Sequence, residues 1–212
     1  MTILPHRVYP APAPRLAARL PRPVRATVAA TVQAAHRGTV LTDRAAAYTL
    51  ISVGLLTRSD RLLQRLARHR DQTVRLHLAR QRSRTAAPGY QDVLLASDDA
   101  RVRLQMARSR YRLPGETLAV LATDEQVAIR TAVAAYRFPL PAPVASALLH
   151  DHEIVRLRLA QNPLTGTWVL TALRNDPSVT VRRAVMFHAN TPDECRVEIA
   201  LALQAPPQRP GQ

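Results

Sequence analysis

The chain has no lysine. All 30 of its basic residues are arginine, set against 15 acidic residues, which gives a formal charge of +15 over 212 residues. It has one cysteine, Cys195. That excludes an intramolecular disulfide and a cysteine-cluster metal site. A reducing, cytoplasmic setting is the expectation that goes with it. Aromatic residues make up only 4% of the chain, and there are six glycines. A core must therefore be built from Ala, Leu and Val. Gly-rich phosphate loops are missing, as are Gly-x-Ser-x-Gly and His-Glu-x-x-His.

Long apolar runs are also missing. The longest, from Ala45 to Leu56, covers 12 residues and contains Thr49 and Ser52. It is too short to cross a bilayer. A secretory signal is not expected, because Pro5, Pro10, Pro12 and Pro14 stand where its apolar centre would lie. No acidic residue occurs before Asp43. Residues 1–22, rich in Pro and Arg, are read as an arm without fixed structure. Residues 205–212 are read as a disordered tail.

What the chain does have is repetition. Asp98 with Arg103, Asp124 with Arg130, Asp151 with Arg156 and Asp176 with Arg182 share one pattern: Asp, a short spacer, an apolar residue, Arg. Successive arginines are 27, 26 and 26 residues apart, and Asp71 with Arg75 forms a weaker copy upstream. A fixed period of this length marks a solenoid. The expected fold is all-α: a right-handed α-solenoid of about five or six short repeats. Each repeat holds a helix with the Asp as N-cap, a turn, and a second helix opened near a proline. Residues 23–70 are read as N-terminal helices with a degenerate repeat, and 71–204 as the repeats proper. In the last repeat, Thr191-Pro-Asp-Glu194 reads as a capping box.

Ile154-Val-Arg-Leu-Arg-Leu-Ala-Gln-Asn-Pro163 and Val181-Arg-Arg-Ala-Val-Met-Phe-His-Ala-Asn-Thr-Pro192 carry this pattern best. They resemble the leucine-rich repeat variant family and, more broadly, HEAT-like α-solenoids. The resemblance covers roughly residues 71–203 and implies a stack of helices with an exposed concave face. Some members of that family carry an iron–sulfur centre on an N-terminal cysteine cluster. This chain has no cysteine before Cys195, so the cofactor does not carry over and none is expected.

Charge is unevenly spread. Residues 1–112 hold 21 Arg and six acids, whereas residues 113–212 hold nine of each. Such asymmetry points to a polyanionic partner. Within the basic part, Arg80, Arg82 and Arg84 follow Arg75 by 5, 7 and 9 residues. Arg108, Arg110 and Arg112 follow Arg103 by the same steps. One triplet thus recurs in two adjacent repeats. Tyr111 sits inside the second, and Arg137 is the one basic residue at that place in the next repeat. Arginine forks match phosphate oxygens, and an aromatic ring can stack on a base. These eight residues are the candidate site for nucleic acid or for an acidic partner.

The Asp and Arg residues of the repeat pattern (Asp98, Asp124, Asp151, Asp176, Arg103, Arg130, Arg156 and Arg182) are read as a structural ladder, not as acid–base machinery. His150-Asp-His152-Glu153 falls at a repeat junction, where Asp151 is already needed, so no metal is assigned there. Cys195 is read as a buried thiol and Trp168 as a surface residue. The expectation is a non-enzymatic binding module whose basic half engages DNA or RNA. A scaffold for an acidic peptide or partner subunit is the alternative, and a HEAT-like DNA glycosylase a minor third. No membrane or small-molecule substrate is implied.

Overall fold

The computed structural model describes residues 47, 48, 50–52, 60–80, 89–109 and 112–204. These residues are helical or lie in short turns. The chain divides into two compact units, residues 1–94 and 95–212. The expected helix from Pro23 to Arg37, the N-terminal arm and the C-terminal tail lie outside the described residues.

In the first unit, residues 47, 48 and 50–52 are helical, and Ala47, Leu50 and Ile51 are buried. Helix α1, Asp60–Ala67, is strongly amphipathic. Leu62, Leu63 and Leu66 face inward, while Arg61 and Arg65 are exposed. That separation follows from the i, i+4 spacing of the two arginines. Helix α2, Gln72–Arg80, packs on α1 and buries Val74, Leu78 and Ala79. Helix α3, Gly89–Leu95, buries Tyr90 and Leu94. A Cβ at Gly89 would lie 2.5 Å from Gln64 Nε2 and 2.8 Å from Asp60 Oδ2. The glycine lets the start of α3 approach the Gln64–Asp60 hydrogen bond of α1.

The second unit is a sequential array of four helix pairs. They are α4 (Ala100–Ala107) with α5 (Gly115–Ala122), α6 (Val127–Ala134) with α7 (Ala142–Leu148), α8 (Glu153–Gln161) with α9 (Thr167–Leu173), and α10 (Val179–Phe187) with α11 (Asp193–Gln204). The first helices stack on one another, α4 on α6, α6 on α8 and α8 on α10. Val102, Ile129, Val155 and Val181, each just before the repeated Arg, are at most 1% exposed. One turn on, Met106, Val133, Leu159 and Val185 are equally buried. These two columns form the seam between successive repeats, since i and i+4 share a helix face. Leu121, Leu148 and Leu173 close the core from the second helices.

The helix starts depart from the sequence expectation. The N-caps are Asp99, Gln126, His152 and Ser178. Each lies four residues before the repeated Arg, so Asp98, Asp124, Asp151 and Asp176 fall one or two residues before the N-cap. Asp99 Oδ1 accepts from the Arg101 N–H, His152 Nδ1 from Ile154 and Ser178 Oγ from Val181. Pro114 and Pro141 do stand at the N-caps of α5 and α7. Pro163 does not open α9, whose N-cap is Gly166. Thr191 forms no capping box with Glu194. Its hydroxyl donates back to the Val185 carbonyl, 2.6 Å away, as Thr165 does to Leu159 one repeat earlier.

Candidate nucleic-acid interface and the two ladders beside it

The repeated arginines define one side of the second unit. Arg103 Nε and Nη2 donate to Asp124 at 2.7 and 3.2 Å. Arg130 grips Asp151 in the same way at 2.7 and 2.8 Å, and Arg156 grips Asp176 at 2.6 and 3.0 Å. In each case Nη1 turns back to a carbonyl of the arginine's own repeat, Ser97, Asp124 or Asp151. One planar fork thus ties the turn of its own repeat to the carboxylate of the next. The free carboxylate oxygen capacity is used locally: Asp124 accepts from the Gln126 N–H, Asp151 from His152 and Asp176 from Ser178.

Two residues assigned to this ladder stand outside it. Asp98 is one residue off register. Ser97 fills the position and accepts the Asp99 N–H, while Asp98 lines an open hollow with Arg103, Asp124 and Glu125. Arg182 keeps the carbonyl contacts, to Asp176 and Pro177, but its buried Nε has no acceptor among the described residues. One 26-residue period beyond Asp176 stands Ala202, inside α11, so no carboxylate arrives.

The ladder sets charge states. Burial is the largest influence on Asp124 and pushes its carboxyl up. The hydrogen bonds from Arg103 and Gln126 and the charges of Arg103 and Arg130 outweigh it and hold the carboxyl below its ordinary range. Asp151 behaves alike, with Arg130 and the His152 N–H in those roles. Arg103, Arg130 and Arg156 are raised, first by the hydrogen bond to their Asp. A carboxyl depressed in the folded state stabilises the fold above its unfolded value, near 4, and that stabilisation is lost as pH falls below it. Stability is expected to be flat from neutrality to about pH 5 and to decline below about pH 4. Chemical denaturation followed by circular dichroism across pH checks this. An Asp124→Asn/Asp151→Asn variant should be weaker at neutrality and decline less on acidification. An unchanged acid slope in that variant would show that these carboxylates are not responsible.

A second ladder runs through the turns between paired helices. It runs through Tyr136, Asn162 and His188, with Ser109 at the same place in the first turn, each ten residues after its N-cap and each at most 8% exposed. The Leu113 N–H donates to the Tyr136 hydroxyl. Asn162 Nδ2 donates to the carbonyls of Ala134 and Tyr136, both at 2.9 Å. His188 Nδ1 accepts from the Asn190 N–H, so its Nε2 carries the proton and donates to the Asn162 carbonyl at 2.9 Å. The bonds from Asn162 and His188 satisfy carbonyls left over at helix ends. Asn162→Ala should cost about 2 kcal/mol, since two buried acceptors are left without their donor. A melting temperature lower by about 5 °C is expected, with exposed Gln161→Ala as the neutral control. Equal melting of the two variants would remove the ladder's claim to stability.

The second ladder escaped sequence reading because it keeps position and polarity but not residue type. Ser, Tyr, Asn and His share no identity, whereas Asp and Arg recur unchanged. The usable signal was a polar residue at a spacing of 27, 26 and 26 on the otherwise apolar side of the turn.

Of the eight residues proposed for phosphate contact, Arg82, Arg84, Arg110 and Tyr111 lie outside the described residues. Arg80 is exposed at the end of α2, in the first unit. Arg108, Arg112 and Arg137 are exposed on the second unit, after α4, before α5 and after α6. None of these three makes an ion pair among the described residues. Phe138, the counterpart of Tyr111, is half-buried and packs on Tyr136, with ring centroids 5.5 Å apart. It is therefore part of the turn and not a free stacking surface. Phe187 is the exposed ring instead, at 77%. It stands nine residues after its N-cap, where Arg108 stands in α4. Trp168 is half-exposed, whereas Cys195 is buried, with Sγ 3.9 Å from Thr171 Oγ1. Asp151 and His152 are committed to Arg130 and to the N-cap of α8. Among the described residues no three His, Cys, Asp or Glu side chains are grouped to hold a metal. Among the same residues no helix is long and apolar enough to cross a membrane. Comparison of the chain with protein-family models, curated proteins and solved structures finds no match.

Proposed function

We propose that this chain is a non-enzymatic helical-repeat binding module whose exposed arginines engage the phosphates of DNA or RNA. One observation carries the reading: the arginines divide into two classes. Arg103, Arg130 and Arg156 are neutralised by Asp124, Asp151 and Asp176 within the array. Arg108, Arg112 and Arg137 are exposed and have no carboxylate partner among the described residues. A structural arginine needs its counter-ion, and an uncompensated cluster of guanidiniums raises the local potential and draws polyanions. The contacts are to the backbone, so sequence preference is weak.

The repeat is read as one of the leucine-rich repeat variant or HEAT-like kind, without the iron–sulfur module. Its support is the Val–Arg pair, Ile–Arg in one repeat, at each buried seam, and the Asn162-Pro163 and Thr191-Pro192 turns. Fluorescence-anisotropy binding to single- and double-stranded DNA and RNA tests the function. The comparison is with a variant in which Arg80, Arg82, Arg84, Arg108, Arg110 and Arg112 are all Gln. Binding indifferent to those six residues sinks the proposal.

A second reading, a scaffold for an acidic peptide or subunit, is favoured by a different observation. Phe187, Leu164 and Trp168 expose 77%, 45% and 48% of their surface on the second unit. Aromatic side chains left this exposed are the usual anchors of protein interfaces. Saturable protein capture that disappears on Phe187→Ala, with only weak and promiscuous DNA binding, would favour it.

A further inference from the structure

Between α4, α6 and α8 lies a hollow of about 330 Å³. The sequence accounts for it. At two, six and nine residues after its N-cap, α6 carries Ala128, Ala132 and Ala135. At the last two of those steps α4 has Gln105 and Arg108, and α8 has Arg158 and Gln161. Methyl groups set between long side chains leave a depression one helix wide. Arg108, Arg137 and Arg158 line it together with those alanines, and no acidic residue does. Arg158 donates only to the neutral amide of Gln161, 3.2 Å away. Of the acids nearest in sequence, Asp124 and Glu125 pair with Arg103, Asp151 with Arg130, and Glu153 accepts from Ser178 and Thr180.

We propose that this hollow is a phosphate-ester site: the three guanidiniums hold the phosphate oxygens and the alanine floor receives the sugar. The assignment rests on the nucleic-acid reading above and adds Arg158, which lies outside both arginine triplets. Three arginines that line one hollow from three parts of the chain can offer several phosphate oxygens a fork each. Partial enclosure between helices strengthens each contact relative to an open surface. A cavity of this size falls at the lower end of the range for small-ligand sites, large enough for one nucleotide unit but not for a stacked duplex.

The test uses the full chain and a fluorescein-labelled oligothymidylate in anisotropy titrations. Arg158→Gln should weaken binding about eightfold at about 0.1 M salt, the effect of one phosphate contact, and lower the salt slope by about one. Ala132→Leu fills the floor without touching charge. It should lower affinity at least as much and leave the melting temperature unchanged. Arg183→Gln, an exposed arginine on α10 outside the hollow, should have no effect. Full affinity in both Arg158→Gln and Ala132→Leu overturns the site while leaving the module's function intact, as would a loss in Arg183→Gln as large as in Arg158→Gln. If the wild type binds no oligonucleotide, the nucleic-acid reading fails and inorganic pyrophosphate decides the hollow. Saturable thermal protection by pyrophosphate that disappears in Arg158→Gln sustains the site, and its absence overturns it.

Discussion

Raising sodium chloride from about 50 to about 200 mM is expected to lower the affinity of this protein for nucleic acid by about three orders of magnitude. The figure counts the six triplet arginines, one phosphate contact each, with Arg137 and Arg158 adding to it, because each contact releases condensed counterions and adds about 0.9 to the salt slope. The same arithmetic makes the six-glutamine variant the largest effect open to measurement. Neutralising all six arginines at about 0.1 M salt should lower affinity by about five orders of magnitude, which is indistinguishable from no binding. The variant should fold normally, since Arg80, Arg108 and Arg112 are exposed and the ladder arginines are untouched. Two results would contradict this account: affinity that is flat in salt, and a steep salt slope that survives in the variant. The second would place the phosphate-binding charge on arginines outside the triplets.

Asp176→Ala is expected to cost about 3 kcal/mol of stability. The Asp176 side chain is 2% exposed and its partner Arg156 15%. Removing the carboxylate strands a largely buried guanidinium and also the Ser178 N–H. Leaving a buried charge unpaired costs more than the pair itself contributes. An array held together by neighbour interfaces need not lose stability everywhere. Hydrogen exchange should accelerate in α10 and α11 while α4 to α6 keep their protection. Uniform acceleration across the second unit would mean that it unfolds as one body, and unchanged exchange would mean that the rung is not holding the last repeat.

The sequence was most legible where chemistry repeats by identity. The Asp–Arg pattern and the apolar residue before each Arg, Val102 through Val181, are enough on their own to imply an all-α array. The partners were less legible. Spacing within a repeat suggested that each Asp caps its own helix, yet each carboxylate faces the Arg of the preceding repeat, 20 or 21 positions upstream. A bond between repeats leaves no mark in local spacing. Ser97 replacing Asp98 shows the same limit: one residue of slippage is invisible in a five- or six-residue spacer but decides which side chain meets the turn. The hollow was hidden for a third reason. It is made by what Ala128, Ala132 and Ala135 lack, and its third arginine, Arg158, lies two repeats beyond the nearer triplet.

The Arg–Asp rung gives the array a direction. Each repeat offers a guanidinium forward and a carboxylate backward, and neither end can bond to its own kind. A 26-residue unit copied in tandem, entering just before Asp124 or Asp151, would arrive with both halves of a joint already in place, its carboxylate for the Arg upstream and its Arg for the carboxylate downstream. The second ladder keeps one sense at its last two rungs, where Asn162 and His188 each hang a donor on the turn before. Array length is thus a variable that gene duplication can change without redesigning any interface.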